Sequence, residues 1–299
     1  MFAKATPSEP GCRRIVHDLA NLGHVEVFHF AVECEHHQTL GYSRRELVDA
    51  AGDVVTETST LATEIDKVES SVSYILGANV ENLTLAGTNV INGTGNALNN
   101  KIEGNSAANA INGSTGNDTL IGGTGNDNYM INSALDVITE TSTLVTEIDS
   151  AYASVNYTLS NNVENLILTG TANLTGTGNS LNNLLMGNSG NNTLKGNDGN
   201  DTLNGSLGID TLEGGLGNDT YIIDNTADII TELSNSGLDT AKSLNDYTLA
   251  ANVENLVLLG NTDIKGTGNI LNNLITGNSG NNELKGASGD DILIGGAGN

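Results

Sequence analysis

Apolar residues recur at every ninth position in three stretches of this chain, inside segments otherwise made of glycine, asparagine and aspartate. From Gly187 the sequence reads GNSGNNTLK, GNDGNDTLN, GSLGIDTLE and GGLGNDTYI, with an apolar residue in the eighth place each time. Related nonapeptides begin at Gly104 and at Gly277. Because glycine and asparagine favour tight turns and side chains alternate along a strand, each unit predicts a turn followed by a very short strand with one inward side chain.

The apolar eighth positions predict a narrow core. Two nonapeptides make one coil of a flattened right-handed spiral, in which these side chains stack inward. The predicted fold class is therefore all-β, a right-handed parallel β-roll or β-solenoid, and no segment offers an amphipathic helix of useful length. The predicted core positions are Ile111, Leu120, Tyr129, Leu194, Leu203, Leu212, Tyr221, Leu284 and Leu293.

A longer repeat, of roughly 83 to 92 residues, contains the short one. The pentapeptide Asn-Val-Glu-Asn-Leu begins at Asn79, Asn162 and Asn252, and a stretch of the form Asp-(Val/Ile)-(Val/Ile)-Thr-Glu begins at Asp53, Asp136 and Asp228. We interpret the chain as modules in which a spacer precedes the nonapeptides. The expected divisions are a non-repetitive head, 1–45, and modules at 46–130, 131–222 and 223–299, the last of them truncated in mid-repeat.

The spacers also alternate between apolar and polar residues. In the first spacer Val68, Ser70, Val72, Tyr74 and Leu76 are predicted to lie on one face of a strand, with Val80, Leu83 and Leu85 following. We expect the spacers to form wider solenoid rungs that continue the roll.

The net charge of the chain indicates which classes of partner it can bind. The chain has 36 acidic and 11 basic residues, a net charge of −25, which argues against nucleic acid and anionic membranes and favours cations. A disordered acidic chain is the alternative, and the fixed apolar spacing argues against it. No stretch approaches 18 apolar residues, so no membrane span is expected, and no cysteine follows the head.

The sixth position of the nonapeptide concentrates this charge. Successive coils of a parallel roll lie about 4.8 Å apart, so sixth-position carboxylates two nonapeptides apart, such as Asp201 and Asp219, stack on one edge. Two such charges repel by roughly 1 kcal/mol in water and about 3–4 kcal/mol at an effective dielectric near 20. Calcium suits the gap because it accepts six to eight oxygens in loose geometry, whereas zinc prefers the His and Cys that the repeats lack.

The nonapeptides resemble the G-G-x-G-x-D-x-U-x consensus of repeats-in-toxin (RTX) proteins, U being apolar, most clearly over Gly122–Tyr129 and Gly196–Tyr221. The resemblance implies calcium, Ca²⁺, as the cofactor, held in Gly/Asp-rich turns. Its implied carboxylate ligands are Asp118, Asp127, Asp201, Asp210, Asp219 and Asp291. Its implied carbonyl ligands belong to Gly113, Gly116, Gly122, Gly125, Gly196, Gly199, Gly205, Gly208, Gly214 and Gly217. Alternatively, these aspartates are only turn formers.

Some turns depart from the consensus. Asn109, Asn192 and Asn282 replace the sixth-position aspartate, and Ala107 replaces a turn glycine. An amide offers a carbonyl oxygen without charge, so these turns are expected to bind calcium weakly or to serve as uncharged rungs. The paired asparagines Asn99-Asn100, Asn182-Asn183 and Asn272-Asn273 are expected to form hydrogen-bonded ladders along the solenoid.

Two further acidic sets recur in the spacers. We expect them to form a solvated face or Asx-type turns, with a ligand role as the alternative; they are Asp66, Asp149 and Asp239, and Glu81, Glu164 and Glu254. In the head, His29, Cys34, His36 and His37 lie close together, but their spacing fits no zinc motif, and an unrelated leader is the simpler interpretation. We expect the head to do no more than cap the first rung with the segment containing Val25, Val27 and Phe30.

Three functions fit these features. The first is a calcium-dependent folding and structural module; the resemblance implies that its parent is a secreted bacterial protein, exported by type I secretion machinery and folded outside the cell. The second is the non-catalytic C-terminal region of an exported hydrolase or epimerase. No His-Glu-x-x-His, Gly-x-Ser-x-Gly or Gly-Lys motif occurs, so this chain is not expected to be an enzyme. The third is a surface adhesin array with a cell-surface or carbohydrate ligand, and the sequence does not separate it from the first.

Overall fold

The computed structural model of the protein describes residues 12–16, 30–34, 45–58, 60, 63–144, 146–234 and 236–298. Within the head, β1 (Cys12–Val16) pairs antiparallel with β2 (Phe30–Cys34). Val25 and Val27 of the expected cap, and the cluster residues His29, His36 and His37, lie outside the described residues. The described part of the chain consists of strands and turns, and it contains no helix of a length and hydropathy suited to crossing a bilayer.

Contacts divide the chain into two compact units, one formed by residues up to 125 with 135–137 and the other by residues 126–134 with 138–299. In the first unit, one parallel sheet contains β3, β4, β6, β8 and β10 and a second contains β5, β7 and β9. These strands are β3 (Arg45–Val48), β4 (Lys67–Ser70), β5 (Tyr74–Ile75), β6 (Asn82–Leu85), β7 (Gly93–Thr94), β8 (Lys101–Glu103), β9 (Ala110–Asn112) and β10 (Thr119–Ile121).

The second unit repeats this plan, and β12 (Val137–Thr139) has residues in both units. Its odd-numbered strands from β11 to β29 form one sheet; β14 to β22, taking every second strand, form another; and β24, β26 and β28 form a third. The strands are β11 (Asn128–Ile131), β13 (Ser150–Ala153), β14 (Tyr157–Thr158), β15 (Asn165–Leu168), β16 (Thr175–Thr177), β17 (Leu184–Met186), β18 (Thr193–Asp198), β19 (Thr202–Asn204), β20 (Thr211–Leu216), β21 (Thr220–Ile223), β22 (Ile229–Thr231), β23 (Thr240–Ser243), β24 (Tyr247–Thr248), β25 (Asn255–Leu258), β26 (Lys265–Thr267), β27 (Leu274–Thr276), β28 (Glu283–Lys285) and β29 (Ile292–Ile294).

Alternate strands pair in parallel because each coil lays one short strand on either side of the core. Leu185 pairs with Leu203 and Leu203 with Tyr221, while Leu194 pairs with Leu212 in the opposite sheet. All five side chains are fully buried, which confirms the predicted stack and stabilises the fold by about 1.5–3 kcal/mol per side chain. The same holds for Ile111, Leu120 and Tyr129, whereas Leu284 is half-buried and Leu293 exposed. The all-β parallel β-solenoid is therefore confirmed.

The spacers form rungs, but not by the single strand expected in the first module. Val68 and Ser70 are buried in β4, which ends at Ser70, and β5 begins at Tyr74 in the other sheet. Between them the Ser70 hydroxyl donates a hydrogen bond to the carbonyl of Val72 (2.7 Å) and accepts one from its N–H (3.2 Å). The predicted five-residue face was wrong, because this serine turns the chain from one sheet to the next.

Candidate metal sites

The sixth-position aspartates form a carboxylate ladder along each edge of the solenoid. The N–H of Asp201 donates to Oδ1 of Asp219 (2.7 Å), and the N–H of Asn183 donates to Oδ1 of Asp201 (2.6 Å). The structure therefore brings Asp201 and Asp219 together as the spacing predicted. Both are only 1 % exposed, so these carboxylates lie inside the turns and not on a wet edge.

The other predicted aspartates follow the same plan to different degrees. Oδ1 of Asp118 accepts from the N–H of Asn100 (2.8 Å), and Oδ1 of Asp210 accepts from the N–H of Asn192 (2.6 Å). Asp118, Asp127 and Asp210 are buried. Oδ1 of Asp291 accepts from the N–H of Asn273 (2.9 Å), but Asp291 itself is only half-buried.

The second carboxylate oxygen has no hydrogen-bond partner among the described residues at Asp118, Asp201, Asp210 and Asp219. Leaving a buried acceptor unsatisfied costs about 1–3 kcal/mol, and more when it is charged. Such repetition at one position of a repeat indicates that these oxygens face something other than protein.

The first glycine of each aspartate nonapeptide keeps space open around this oxygen. A Cβ added at Gly113, Gly196, Gly205 or Gly214 would collide with Oδ2 of the aspartate five residues later. The glycine at the fourth position instead shapes the turn, since Gly199 and Gly217 have φ angles of +121° and +128°, and a Cβ there would strike the turn of the preceding coil. The predicted glycine carbonyl ligands lie in these turns, and their role remains a prediction.

Burial raises the pKa of these aspartates. Desolvation, reinforced by the charge of Asp219 and opposed by the Asn183 N–H, raises the pKa of Asp201 to about 7. Desolvation likewise raises the pKa of Asp118 and of Asp210 to about 6, and it raises the pKa of Asp219. The protein groups present therefore do not favour the ionised form, and a cation between the rungs would supply the missing positive charge.

The donor set fits calcium. Past the head the chain has no histidine or cysteine, so the turns offer carboxylate and carbonyl oxygens only. Hard, loosely coordinated Ca²⁺ matches such a set, and zinc does not.

Asparagine turns are closed by their own side chains. Oδ1 of Asn183 accepts from the N–H of Asn179 (2.7 Å), and its Nδ2 donates to the carbonyls of Val163 (3.2 Å) and Glu164 (3.1 Å). Oδ1 of Asn179 accepts from the N–H of Leu181 (2.8 Å), so both amides are used within protein. Sixth-position asparagines that accept in this way are Asn100, Asn109, Asn183, Asn192, Asn273 and Asn282.

The two kinds of turn differ in backbone as well. In the aspartate turns the fourth residue is a glycine with positive φ, as at Gly199, whereas Gly190 and Gly280 in asparagine turns lack it. Ala107 occupies the fourth position of an asparagine turn, also without positive φ. Its replacement of glycine is therefore unstrained, because that turn has no need of the left-handed region.

The asparagine ladders form between side chains and main chain. Oδ1 of Asn99, Asn182 and Asn272 accepts from the N–H of the residue 18 positions later, at 2.7–2.9 Å. The second asparagine of each pair closes its turn as above. Each pair thus belongs to a further nonapeptide that the sequence analysis did not recognise. These nonapeptides begin at Gly95, Gly178 and Gly268. In the first of them the eighth residue, Ile102, pairs with Leu120 of the next rung.

The spacer aspartates were wrongly expected on a solvated face. Asp66, Asp149 and Asp239 are 6 %, 2 % and 1 % exposed. Their N–H groups donate to Oε2 of Glu81, Glu164 and Glu254, at 2.8, 2.8 and 2.9 Å, so these half-buried glutamates orient them.

Asp136 and Asp228 also continue the ladders, and sequence reasoning missed them as site residues. Their Oδ1 atoms accept from the N–H groups of Asp118 (2.9 Å) and Asp210 (3.0 Å), and both are buried. A signal was available, because each lies 18 residues after a nonapeptide aspartate and is followed two residues later by an apolar residue, as at the sixth and eighth positions of the repeat.

Comparison with known proteins agrees with this geometry. The family model of the RTX calcium-binding nonapeptide repeat matches four times, over residues 94–129, 177–212, 196–230 and 267–299, so that three of the matches include the asparagine turns that precede the recognised repeats. A search of the curated proteins finds no match. The chain is therefore an all-β parallel solenoid that carries RTX calcium-binding nonapeptide repeats, matched in four copies, with buried carboxylates in its turns.

Proposed function

We propose that this chain is a calcium-dependent folding and structural module of a secreted RTX-type protein. The RTX calcium-binding repeats imply a calcium-binding structural module, and the finer role is supported by one observation. At Asp118, Asp201, Asp210 and Asp219 a buried carboxylate oxygen has no partner among the described residues. The proposed ligands are these aspartates with Asp127 and Asp291, and the carbonyls of the turn glycines named above.

In this proposal the free energy of calcium binding contributes directly to the free energy of folding. In the metal-free fold every aspartate rung adds a desolvated carboxylate close to another, and the pKa of Asp201 rises to about 7 as a result. Bound Ca²⁺ supplies the positive charge and the oxygen coordination that the protein lacks. The chain's residues position those oxygens: the ladder hydrogen bonds fix Oδ1, and the glycines keep the surroundings of Oδ2 open.

Two features support a role outside the cell. Extracellular calcium modules commonly bind with dissociation constants of 10⁻⁴–10⁻³ M, which suits a chain that folds only after export. A net charge of −25 also disfavours compaction until cations are present. We assign no catalytic role to these residues, because the carboxylates stand where a structural cation explains them.

Circular dichroism of the full chain tests this function. In excess chelator the spectrum should be that of a disordered chain, and calcium titration should restore the β signal with half-saturation on the order of 0.1–1 mM. Magnesium at the same concentration is the control, and it should be much less effective because it demands a stricter octahedron. A β spectrum that is unchanged in excess chelator would contradict the proposal.

A further inference from the structure

Three buried carboxylates converge where a nonapeptide run meets the following spacer. Asp219, Glu232 and Asp239 each place one carboxylate oxygen within 4.8 Å of the others. They are 1 %, 9 % and 1 % exposed. Asp219 comes from the last nonapeptide of its run, whereas Glu232 and Asp239 come from the spacer. We call this set the second junction triad.

The same arrangement occurs 90 to 92 residues earlier, at Asp127, Glu140 and Asp149, which form the first junction triad. In both, a tyrosine two residues after the first aspartate donates its hydroxyl to the glutamate: Tyr129 to Oε2 of Glu140 (2.6 Å), and Tyr221 to Glu232. In both, the first aspartate's N–H donates to Oδ1 of the last, at 2.7 and 2.8 Å. Repetition of the whole network indicates a constructed site.

The glutamate is fixed as an acceptor by donors on both of its oxygens. Oε2 of Glu232 accepts from the N–H of Leu233 (3.0 Å) and the hydroxyl of Ser236 (3.0 Å), while Oε1 accepts from Tyr221. In the first triad, the N–H groups of Thr141 (2.8 Å) and Ser142 (3.2 Å) donate to Oε1 of Glu140. These donors hold the glutamate side chain in one orientation in both triads.

The aspartate oxygens supply an independent sign of a ligand. Oδ2 of Asp219 and Oδ2 of Asp239 are buried and have no hydrogen-bond partner among the described residues. Oδ2 of Asp219 and Oε1 of Glu232 point to the same place, because a Cβ added at Gly214 would collide with Oδ2 and come within 2.5 Å of Oε1. Three carboxylates so placed repel by about 3–4 kcal/mol per pair at an effective dielectric near 20.

We propose that each junction triad binds one divalent cation of the calcium class, at a site where the last glycine turn of a run meets the spacer. The ligands are one nonapeptide aspartate and two spacer carboxylates, Glu140 with Asp149 or Glu232 with Asp239. The inference goes beyond the proposed function because both spacer ligands lie outside every nonapeptide, and it rests on that function for the identity of the cation. Oxygen-only donors and buried anionic charge select this class of ion.

The first spacer provides an internal comparison. Glu57 and Asp66 occupy the positions of Glu140 and Asp149 there, but no nonapeptide precedes them. Among the described residues the two junction triads are the groups of three acidic side chains able to hold a metal, and Glu57 and Asp66 are in neither. The site therefore requires a nonapeptide run followed by a spacer, and the cation joins these two parts of the repeat.

Removing the charge of both glutamates tests the sites. The full chain carrying Glu140→Gln and Glu232→Gln should bind two fewer calcium ions than the unaltered chain in equilibrium dialysis. The matched control carries Glu213→Gln and Glu283→Gln; both glutamates pair with lysines at the surface, so the control has the same net charge but should keep full stoichiometry. A chain that binds no calcium even when unaltered contradicts the proposed function itself. Unchanged stoichiometry in the Glu140/Glu232 variant, in a chain that does bind calcium, overturns the junction sites alone.

Terbium luminescence gives a second readout that does not depend on the glutamine variant folding. The chain has no tryptophan, so energy transfer to bound Tb³⁺ must come from tyrosine, and Tyr129 and Tyr221 contact the triad glutamates. Replacing both tyrosines with phenylalanine should remove the emission sensitised at the triads while calcium stoichiometry stays unchanged. Emission equal to that of the unaltered chain overturns the proposal.

Discussion

Replacing Asp201 with asparagine should stabilise the fold in the absence of calcium, and calcium should remove most of that gain. The substitution turns GNDGNDTLN into GNDGNNTLN, which keeps Asn197 in the second position and so matches the pattern of the chain's own asparagine turns. In those turns both amide groups are satisfied by protein, as at Asn183. The variant therefore removes a buried carboxylate that favours a cation and puts an uncharged amide in its place.

The size of each effect follows from the site. Raising the pKa of Asp201 from 3.8 to about 7 costs about 4 kcal/mol of folding free energy at a pH above 7, and with 1 % exposure solvent relieves little of it. In chelator the variant should therefore be more stable than the unaltered chain by up to about 4 kcal/mol. At a calcium concentration 100 times the dissociation constant the unaltered chain gains about 2.7 kcal/mol from the site that the variant lacks, so the advantage of the variant should shrink to roughly 1 kcal/mol.

Folding induced by trimethylamine N-oxide in chelator measures the first effect, because this osmolyte strengthens burial and populates the fold. Urea unfolding in saturating calcium measures the second. Asp198→Asn is the control, since Asp198 lies in the same nonapeptide, is exposed and changes charge equally. An equal stability gain in both media, or a control that shows the same dependence on calcium, would refute the reasoning.

Three further outcomes are expected. Asp219→Ala should weaken calcium binding in a titration more than Asn192→Ala, which removes only an amide closed within protein; equal effects would mean that the ligand position is misassigned. In chelator the β signal should be strongest below about pH 4 and fade as pH rises through about 6–7, because raised folded-state pKa values favour the fold only while the acids are protonated; a pH-independent signal would contradict this. Deleting residues 1–45 should leave the calcium midpoint nearly unchanged, and a large loss of cooperativity would show that the head is a true cap.

The nine-residue period was sufficient to predict the core of the nonapeptide runs, because the one buried position in every nine is occupied by an apolar residue. Leu194, Leu203 and Leu212 are buried as the eighth-position rule requires. The spacers do not follow this nine-residue period, because their rungs vary in length. Hydrogen bonds between neighbouring rungs join residues 15 apart at Asp66 and Glu81 but 18 apart in the nonapeptides. Without a fixed period, the turn at Ser70 could not be distinguished from a continuous strand.

The sequence predicted which nonapeptide aspartates lie next to one another, but it did not predict that the acidic side chains are buried. The nonapeptide frame placed Asp201 and Asp219 on one edge, and the ladder hydrogen bond confirms that arrangement. The burial of Asp149 and Asp239 was not predicted because they lie outside the frame, and a buried carboxylate looks the same in sequence as an exposed one. The rule that an apolar residue follows two positions later would have indicated this burial, as Ala151 follows Asp149.

The asparagine turns give each run of repeats a polarity. Two of them open each run, at Asn100 and Asn109, at Asn183 and Asn192, and at Asn273 and Asn282, and aspartate turns follow. Because consecutive nonapeptides alternate between edges, the first aspartate rung on each edge is built onto an asparagine rung whose polar groups are already satisfied. Treated as a one-dimensional lattice, the solenoid is expected to nucleate at the asparagine rungs, which need no ion, and to extend from them towards the C-terminus as each aspartate rung binds calcium.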